Sequence, residues 1–493
     1  MNKTSAYLAV DLGAESGRVM LTRFDGSRLQ IREVHRFPNG GTRLGSGLYW
    51  DFLRLWDEIK SGLRRAALEA GPAIRSIGLD TWGVDFGLLD AQDHLIGNPH
   101  HYRDPRTQGV LDAVFASVPR ERVYSQTGNQ FMPFNSLFQL YTMAQSGDPR
   151  LSIARTFLNM PDLFNFFLTG EKVNEFSITS TTQCYNPVTR TWAADLLTEL
   201  GIPTGIFGEV VPSGTVLAPL REQLGADLGL PGVSVVATTG HDTASAVAAV
   251  PAATEDYLYL SSGTWSLMGV ELDEPMITPE SFAAEMTNEG GFGGKIRFLK
   301  NITGLWLVQE CRRIWAQQGI TLDYSTLTGM AAQAPAFGPL IVPGDPRFLA
   351  PADMPAEIQA FCRESGQPVP QTKGEIVRTV LESLALEYRR VAGQIDRLTG
   401  RAHPVLHIIG GGTKNTLLNQ LAADATGRTV ITGPVEATAV GNALVQAIAL
   451  GEIGSLAEGR EIVRRSFEVE TYEPRDSAAW DEAYARYRKL VAG

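Results

Sequence analysis

Apolar residues at the start of the chain form a short unbroken run, Ala6-Tyr7-Leu8-Ala9-Val10, that ends on Asp11. A run of that length bounded by a turn is the pattern of a buried strand. The stretch Leu12-Gly13-Ala14-Glu15-Ser16-Gly17 follows, and Arg18 to Phe24 alternates apolar and polar side chains, so a hairpin is predicted over 6–24. From Asp51 to Ala70 the spacing becomes helical, with Leu53, Leu55/Trp56, Ile59, Leu63 and Ala66/Ala67 on one side and Asp51 as the cap. Ile74 to Leu79 is another strand, leading into Asp80-Thr81-Trp82-Gly83-Val84-Asp85-Phe86. Hairpin, helix, strand is an α/β order.

The same grammar returns in the second half. Pro231 to Ala237 reads as a strand, and Gly240-His241-Asp242-Thr243 turns into a small-residue helix over Ala244 to Val250 that Pro251 ends. Tyr257 to Val270 is again strand, small-residue turn (Ser261-Ser262-Gly263-Thr264) and strand. Ile376 to Leu398 is a long amphipathic helix, Val405 to Ile409 a buried strand running into Gly410-Gly411-Gly412, and Asn415 to Ala425 helical. Gly40 to Gly47 and Pro343 to Met354 are expected to be surface loops. One hairpin near the start of each half suggests a duplicated domain, with 1–245 and 246–493 as the copies and a cleft between them.

Composition narrows the class. The 493 residues are 44% hydrophobic and 20% charged, enough apolar material to exclude long disorder. Lys and Arg number 43 against 54 Asp and Glu, giving −11 with no basic stripe, which argues against a nucleic-acid or anionic-membrane partner. An anionic substrate remains possible, because it needs only a local positive site. Cys184, Cys311 and Cys362 are odd in number and far apart, so neither a disulfide framework nor a zinc knuckle is expected, and a reducing cytoplasm is the expected setting. No signal-peptide core precedes Tyr7, and no apolar run approaches the roughly 20 residues of a membrane span.

Walker-type GxxxxGK[ST], HExxH and GxSxG patterns are absent. Asp11 to Arg18 places a carboxylate at a strand end before a turn of small residues, whose amides can converge on phosphate oxygens. Asp11 is a candidate for Mg²⁺, through water, and Arg18 adds positive charge; the plain alternative is a hairpin with a capped turn. Ser262-Gly263-Thr264 repeats the device with hydroxyls. Asp242 is a candidate base for an alcohol attacking phosphorus, with His241 and Thr243 beside it for a polyhydroxy ligand; as an alternative it is a helix cap. Asp80, Trp82 and Asp85 combine carboxylates that bind hydroxyls with an indole face that packs on C–H groups, or else form a twisted strand with one core Trp. Gly410-Gly411-Gly412-Thr413-Lys414-Asn415 is a near miss of GxGxxG, with Asn415 at the third glycine.

The ordered set Asp11–Arg18, Asp80–Phe86, Gly240–Thr243, Ser261–Trp265 and Gly410–Gly412 resembles the FGGY carbohydrate kinases of the actin/hexokinase-like ATPase superfamily. The segments DTWGVDF, HDTASAV and SSGTWSLMG are the specific ones, and the likeness runs over nearly the whole chain. It implies two RNase H-like α/β domains with the site in an interdomain cleft, the first carrying sugar and one phosphate turn, the second the nucleotide. By the same resemblance Asp242 is the general base toward a ketose C1 hydroxyl, and Gly83, Trp82, His241 and Thr243 touch the sugar. Ala14, Ser16, Gly17, Arg18, Thr264, Asn301, Gln309 and Gly411 lie on the ATP side, and Asp11 helps to place Mg²⁺. Glu15 departs from the small residues common in that turn and should point outward. The implied reaction is ATP-dependent phosphorylation of L-rhamnulose at O1, with L-fuculose or L-xylulose as alternative ketoses; monomer and homodimer both stay open. Two other classes remain: a sugar-independent nucleotide switch of the actin or chaperone kind, and a nicotinamide dehydrogenase built on the Gly410 turn.

Overall fold

The computed structural model describes residues 4–349, 351–475 and 478–492. The chain divides into two compact units. The first comprises 1–249, Glu271–Phe298 and Ala437–Ser466, and the second Val250–Val270, Leu299–Glu436 and the residues from Phe467.

The sheet of the first unit is built from β1 (Ser5–Leu12), β2 (Ser16–Phe24), β3 (Leu29–Pro38), β4 (Ile74–Thr81), β5 (Thr215–Pro219) and β6 (Ser234–Ala237), in the order β5-β6-β4-β1-β2-β3. β1, β4 and β6 run parallel, so their carboxyl ends share one edge, while β2 and β5 pair antiparallel. Helix α1 (Phe52–Ala70) covers one face; Leu55, Ile59, Leu63 and Ala66 are fully buried against Leu8, Val10, Leu21 and Leu79. Each large side chain so buried contributes roughly 1.5–3 kcal/mol. Asp51 caps the helix by accepting from the Arg54 N–H at 3.2 Å. Leu53, part of the helical pattern, is exposed. A second core within this unit gathers Leu137, Phe138, Leu140, Phe157, Cys184 and Leu197 beneath short helices. Gly41–Leu44 and Gly47–Trp50 pair as a small hairpin where a loop is expected.

The opposite face of the sheet is covered from far along the chain. Ala439 packs on Ala9 and Met20. The helix Ala437–Ala449 also ties in through Gln446, which accepts from the Ser76 hydroxyl at 2.7 Å and donates to the Leu8 carbonyl at 3.0 Å. Helix α2 (Asp242–Ala248) lies so close to it that a Cβ on Gly441 would stand 1.7 Å from the Ser245 carbonyl oxygen. Only glycine fits there. The division therefore differs from one cut after residue 245. An Ala-rich helix whose sides are nearly all apolar needs a double-faced burial site, and the sheet of the first unit supplies it.

The second sheet is built from Thr287–Gly290, β7 (Tyr257–Ser262), β8 (Trp265–Leu272), β9 (Ile296–Thr303), β10 (Val405–Ile409), β11 (Thr429–Thr432) and β12 (Glu470–Tyr472), with Thr287–Gly290 at the edge beside β9 and the rest in the order β9-β8-β7-β10-β11-β12. β7, β10 and β11 are parallel. The long helix predicted from Ile376 starts earlier, at Lys373, because Thr372 and Glu375 form a reciprocal capping box. Among the described residues no helix is long and apolar enough to cross a membrane.

Candidate active site

Open α/β sheets offer ligands the space beyond the carboxyl ends of their parallel strands. In the first unit those ends deliver acids. Asp11 closes β1 and sits opposite Asp80 at the end of β4, while β6 leads within a few residues to Gly240 and Asp242. Asp11 is ion-paired with Arg18, its cross-strand partner on β2. Asp80 is fully buried, and burial, then the Asp11 charge, push its carboxyl well above the usual range; Asp242 adds to the rise, and Arg18 and a hydrogen bond from Asn442 work against it. Among the described residues Asp80 Oδ1 has no hydrogen-bond partner. Asp80 is thus within electrostatic reach of two further carboxylates and keeps one orphaned oxygen, an arrangement with the chemistry to accept a cation or a shared proton.

The turn that carries Asp242 is fixed from below by a residue the sequence does not advertise. Glu175 accepts from the N–H groups of Ser177, Ile178 and Gly240, and from the Ser177 and Ser213 hydroxyls. Burial raises its carboxyl pKa against these donors. The Thr81 N–H donates to the Gly240 carbonyl at 2.9 Å, so β4 holds the turn from the side. Asp242 begins α2 with its side chain 31% exposed, and its Oδ1 accepts from the Thr243 N–H at 2.6 Å and the Thr243 hydroxyl at 3.2 Å. A carboxylate oriented by its own helix and open on one side can meet an external hydroxyl.

Around Trp82 the picture is partly corrected. Asp85 is not available to a ligand: its Oδ2 accepts from Trp50 Nε1, Trp82 Nε1 and the Tyr102 N–H, and its Oδ1 from Gln139. Burial raises its pKa to about 6 in spite of those donors. It is the hub of an aromatic stack in which Trp82 and Trp50 lie 3.8 Å apart and Trp50 and His101 4.1 Å apart. One face of Trp82 is thus taken by Trp50. Gly83 does border the turn: a Cβ there would stand 3.4 Å from both His241 Nε2 and the Thr181 hydroxyl. Val84 beside it has φ of 68°, a left-handed conformation a β-branched side chain rarely accepts, stabilised by a bond from its N–H to Thr181.

The turn between β1 and β2 closes by a bond from the Gly13 N–H to the Ser16 carbonyl, and Asn39 donates to the Gly13 carbonyl at 2.8 Å. Ala14 and Ser16 are half-buried, Gly17 is buried with no room for a Cβ beside Phe37, and Glu15 is exposed. In the second unit the corresponding turn is gripped by backbone: Leu305 donates to Gly263, and Gly304 and Trp306 donate to Thr264. The glycine triplet folds against the same strand end, where a Cβ on Gly412 would lie 2.0 Å from the Ser262 hydroxyl and one on Gly410 3.3 Å from its carbonyl. Gly411 has open space at its Cβ. Asn301 lies near the end of β9 and Gln309 on the helix Trp306–Gln317, its buried Oε1 without a partner. Thr264, the glycine triplet and the start of that helix are therefore neighbours within the unit.

Among the described residues no three His, Cys, Asp or Glu side chains stand ready to cage a metal ion unaided. Magnesium keeps several waters and asks for few protein oxygens. Asp11 and Asp80, with the orphaned Asp80 oxygen, fit that demand.

The sequence signal was complete for Asp242 and its turn but silent on Glu175, Asn442, Glu289 and Arg297, which reach the same place from elsewhere in the chain. Comparison with known proteins extends the geometry. The chain is 46% identical over 485 residues to a rhamnulokinase of Bacteroides thetaiotaomicron, covering 98% of this chain and 99% of that protein. A rhamnulokinase of Oceanobacillus iheyensis is 42% identical, with 94% and 97% covered. A ligand-bound xylulose kinase of Lactobacillus acidophilus and an ADP-bound glycerol kinase of Plasmodium falciparum share the fold, each at a TM-score of 0.80, with 17% and 15% identity, over 99% of this chain and 96% and 98% of theirs. The models of the N-terminal and C-terminal domains of the FGGY family of carbohydrate kinases match residues 6–249 and 258–450. Acidic strand ends in one unit, glycine-lined turns in the other and these matches along almost the entire sequence make the chain a member of the FGGY carbohydrate kinases.

Proposed function

We propose that the chain transfers the γ-phosphoryl group of ATP to O1 of L-rhamnulose, giving L-rhamnulose 1-phosphate and ADP. The observation that carries the chemistry is the Asp242 carboxylate, oriented by its helix and part-exposed beside the buried Asp11 and Asp80. In this reading Asp242 takes the O1 proton as that oxygen attacks the γ-phosphorus, and the bond from phosphorus to the bridging oxygen of ADP breaks. His241, Thr243, Gly83 and Trp82 hold the ketose; Ala14, Ser16, Gly17 and Arg18 meet phosphate in the first unit. Thr264, Asn301, Gln309 and Gly411 serve the nucleotide in the second. Asp11 and Asp80 would hold Mg²⁺, which supplies charge neutralisation on the phosphates. The sugar choice rests on the rhamnulokinases at 46% and 42% identity.

The test is a coupled ADP-release assay with L-rhamnulose, L-fuculose, L-xylulose and no sugar. L-Rhamnulose should give a kcat/KM at least roughly tenfold above the other ketoses, the scale set by one methyl or hydroxyl contact. A better L-fuculose rate would move the substrate to that sugar. An ADP rate that ignores sugar would instead identify a nucleotide switch.

A further inference from the structure

His241 is hydrogen-bonded at one ring nitrogen and faces a carboxylate with the other, and the two neighbours favour the same proton arrangement. Its Nδ1 stands 3.0 Å from Arg297 Nη2, and its Nε2 3.4 Å from Asp242 Oδ1. A guanidinium has five donors and no acceptor, so Nδ1 must present its lone pair to Arg297. A carboxylate accepts, so Nε2 must carry the proton toward Asp242. Glu289 Oε2 lies 3.3 Å from Nδ1 and accepts from Arg297 Nη2 at 3.0 Å; the competing arrangement would put a proton on Nδ1 toward Glu289, but only Arg297 makes a hydrogen bond to Nδ1. Arg297 is 0% exposed and anchored further by a bond from its Nε to the Gly290 carbonyl at 2.8 Å. Burial alone would raise the Glu289 carboxyl, but the Arg297 charge outweighs it and holds the group below the usual range, so it serves as the counter-ion of Arg297. Thr287–Gly290 and β9, the neighbouring strands that carry Glu289 and Arg297, thus deliver a rigid ion pair behind one face of the imidazole.

We propose that Arg297 is a positioning residue that locks His241 in the Nε2–H form, making it a fixed donor to the Asp242 carboxylate and to an oxygen of the acceptor sugar. Gly83 has no Cβ where such an oxygen would approach Nε2. The role toward the sugar rests on the ketose-kinase reading; the tautomer does not. A donor fixed in this way favours a carbonyl or hydroxyl oxygen that accepts.

The experiment uses the full chain labelled with [¹⁵N]histidine and long-range proton–nitrogen correlation, the His241 signals being assigned by their loss in His241→Gln. The wild type without sugar should show a bare Nδ1 and a protonated Nε2. Arg297→Met should lose that preference and raise the ketose KM roughly tenfold while changing kcat less, and Arg297→Lys should restore both in part. Glu289→Gln should leave the tautomer as it is. A protonated Nδ1 in the wild type, or an unchanged tautomer and KM in a folded Arg297→Met, overturns the proposal. If Arg297→Met fails to fold, the wild-type spectrum alone decides. Failure of every ketose to release ADP would end the functional reading and leave the tautomer assignment standing; an active enzyme with a protonated Nδ1 does the reverse.

Discussion

Two hairpins open the two sheets, β1–β2 and β7–β8, and their turns are built to opposite electrostatic plans. The first turn closes with a Gly13-to-Ser16 bond and lies next to an ion pair, Asp11 with Arg18, while Asp80 waits one strand away. The second closes with a Gly263-to-Trp265 bond, a residue shorter, and is braced by three backbone N–H groups from residues 304–306. No side-chain charge stands within the second turn; Ser262, Thr264 and the glycine triplet line it instead. In the proposed reading one supersecondary unit serves two tasks according to the residues near its strand end: the Asp11 carboxylate would help to hold a cation beside the phosphates, while Ser262 leaves the backbone dipoles of the second turn to receive an anion.

That contrast predicts unequal damage. Removing the charge from Asp242 should cost most: Asp242→Asn is expected to lower kcat by about 10²–10⁴ with a small change in either KM, measured by ADP release and by an unchanged melting temperature. Normal turnover in that variant would break the comparison at its acidic end. At the neutral end, Gly412→Ala puts a methyl 2.0 Å from the Ser262 hydroxyl and should cost about 1–3 kcal/mol of overpacking. It should raise the KM for ATP and spare the KM for sugar. Gly83→Ala meets its neighbours only at 3.4 Å, so it should raise the sugar KM by a smaller factor, a few-fold, and leave the KM for ATP alone. Equal effects on both constants in either glycine variant would erase the division of labour.

A last effect concerns pH and stability, not turnover. Asp85 has a folded pKa of about 6 against an ordinary 3.8, because it is buried. The folded protein therefore binds its proton more readily than the unfolded chain does. Its stabilising contribution is present below pH 3.8 and is lost as pH rises through about 6, a swing of about 3 kcal/mol. Asp85→Asn should flatten the wild type's dependence of melting temperature on pH across that window. A variant that keeps the wild-type slope would show that Asp85 titrates as it does in the unfolded chain.

Much of this was legible in the residues taken singly. The hairpins at 6–24 and 257–270, the helix capped by Asp51 and the strand Val405–Ile409 follow from local periodicity and capping, which act over a few residues. The Gly240–Thr243 turn could be named because glycine before a helix start has local meaning. Asp85 shows the limit. A carboxylate near a Trp reads the same whether it faces a sugar or four internal donors, and only burial distinguishes them.

The sequence by itself determined the hairpins at 6–24 and 257–270 and the helices after Asp51 and Asp242, and it placed Asp11, Asp80 and Asp242 near strand or helix ends, since those properties come from neighbours along the chain. Tertiary structure alone decided that Asp11 and Asp80 stand side by side, that Glu175 seizes the Gly240 amide, that Arg297 and Glu289 back His241, and that residues 437–449 return to the first sheet. Each of those is a contact between residues tens to hundreds of positions apart. Such contacts are selected by which buried polar groups can be satisfied and which apolar faces can be covered, and no local pattern encodes either.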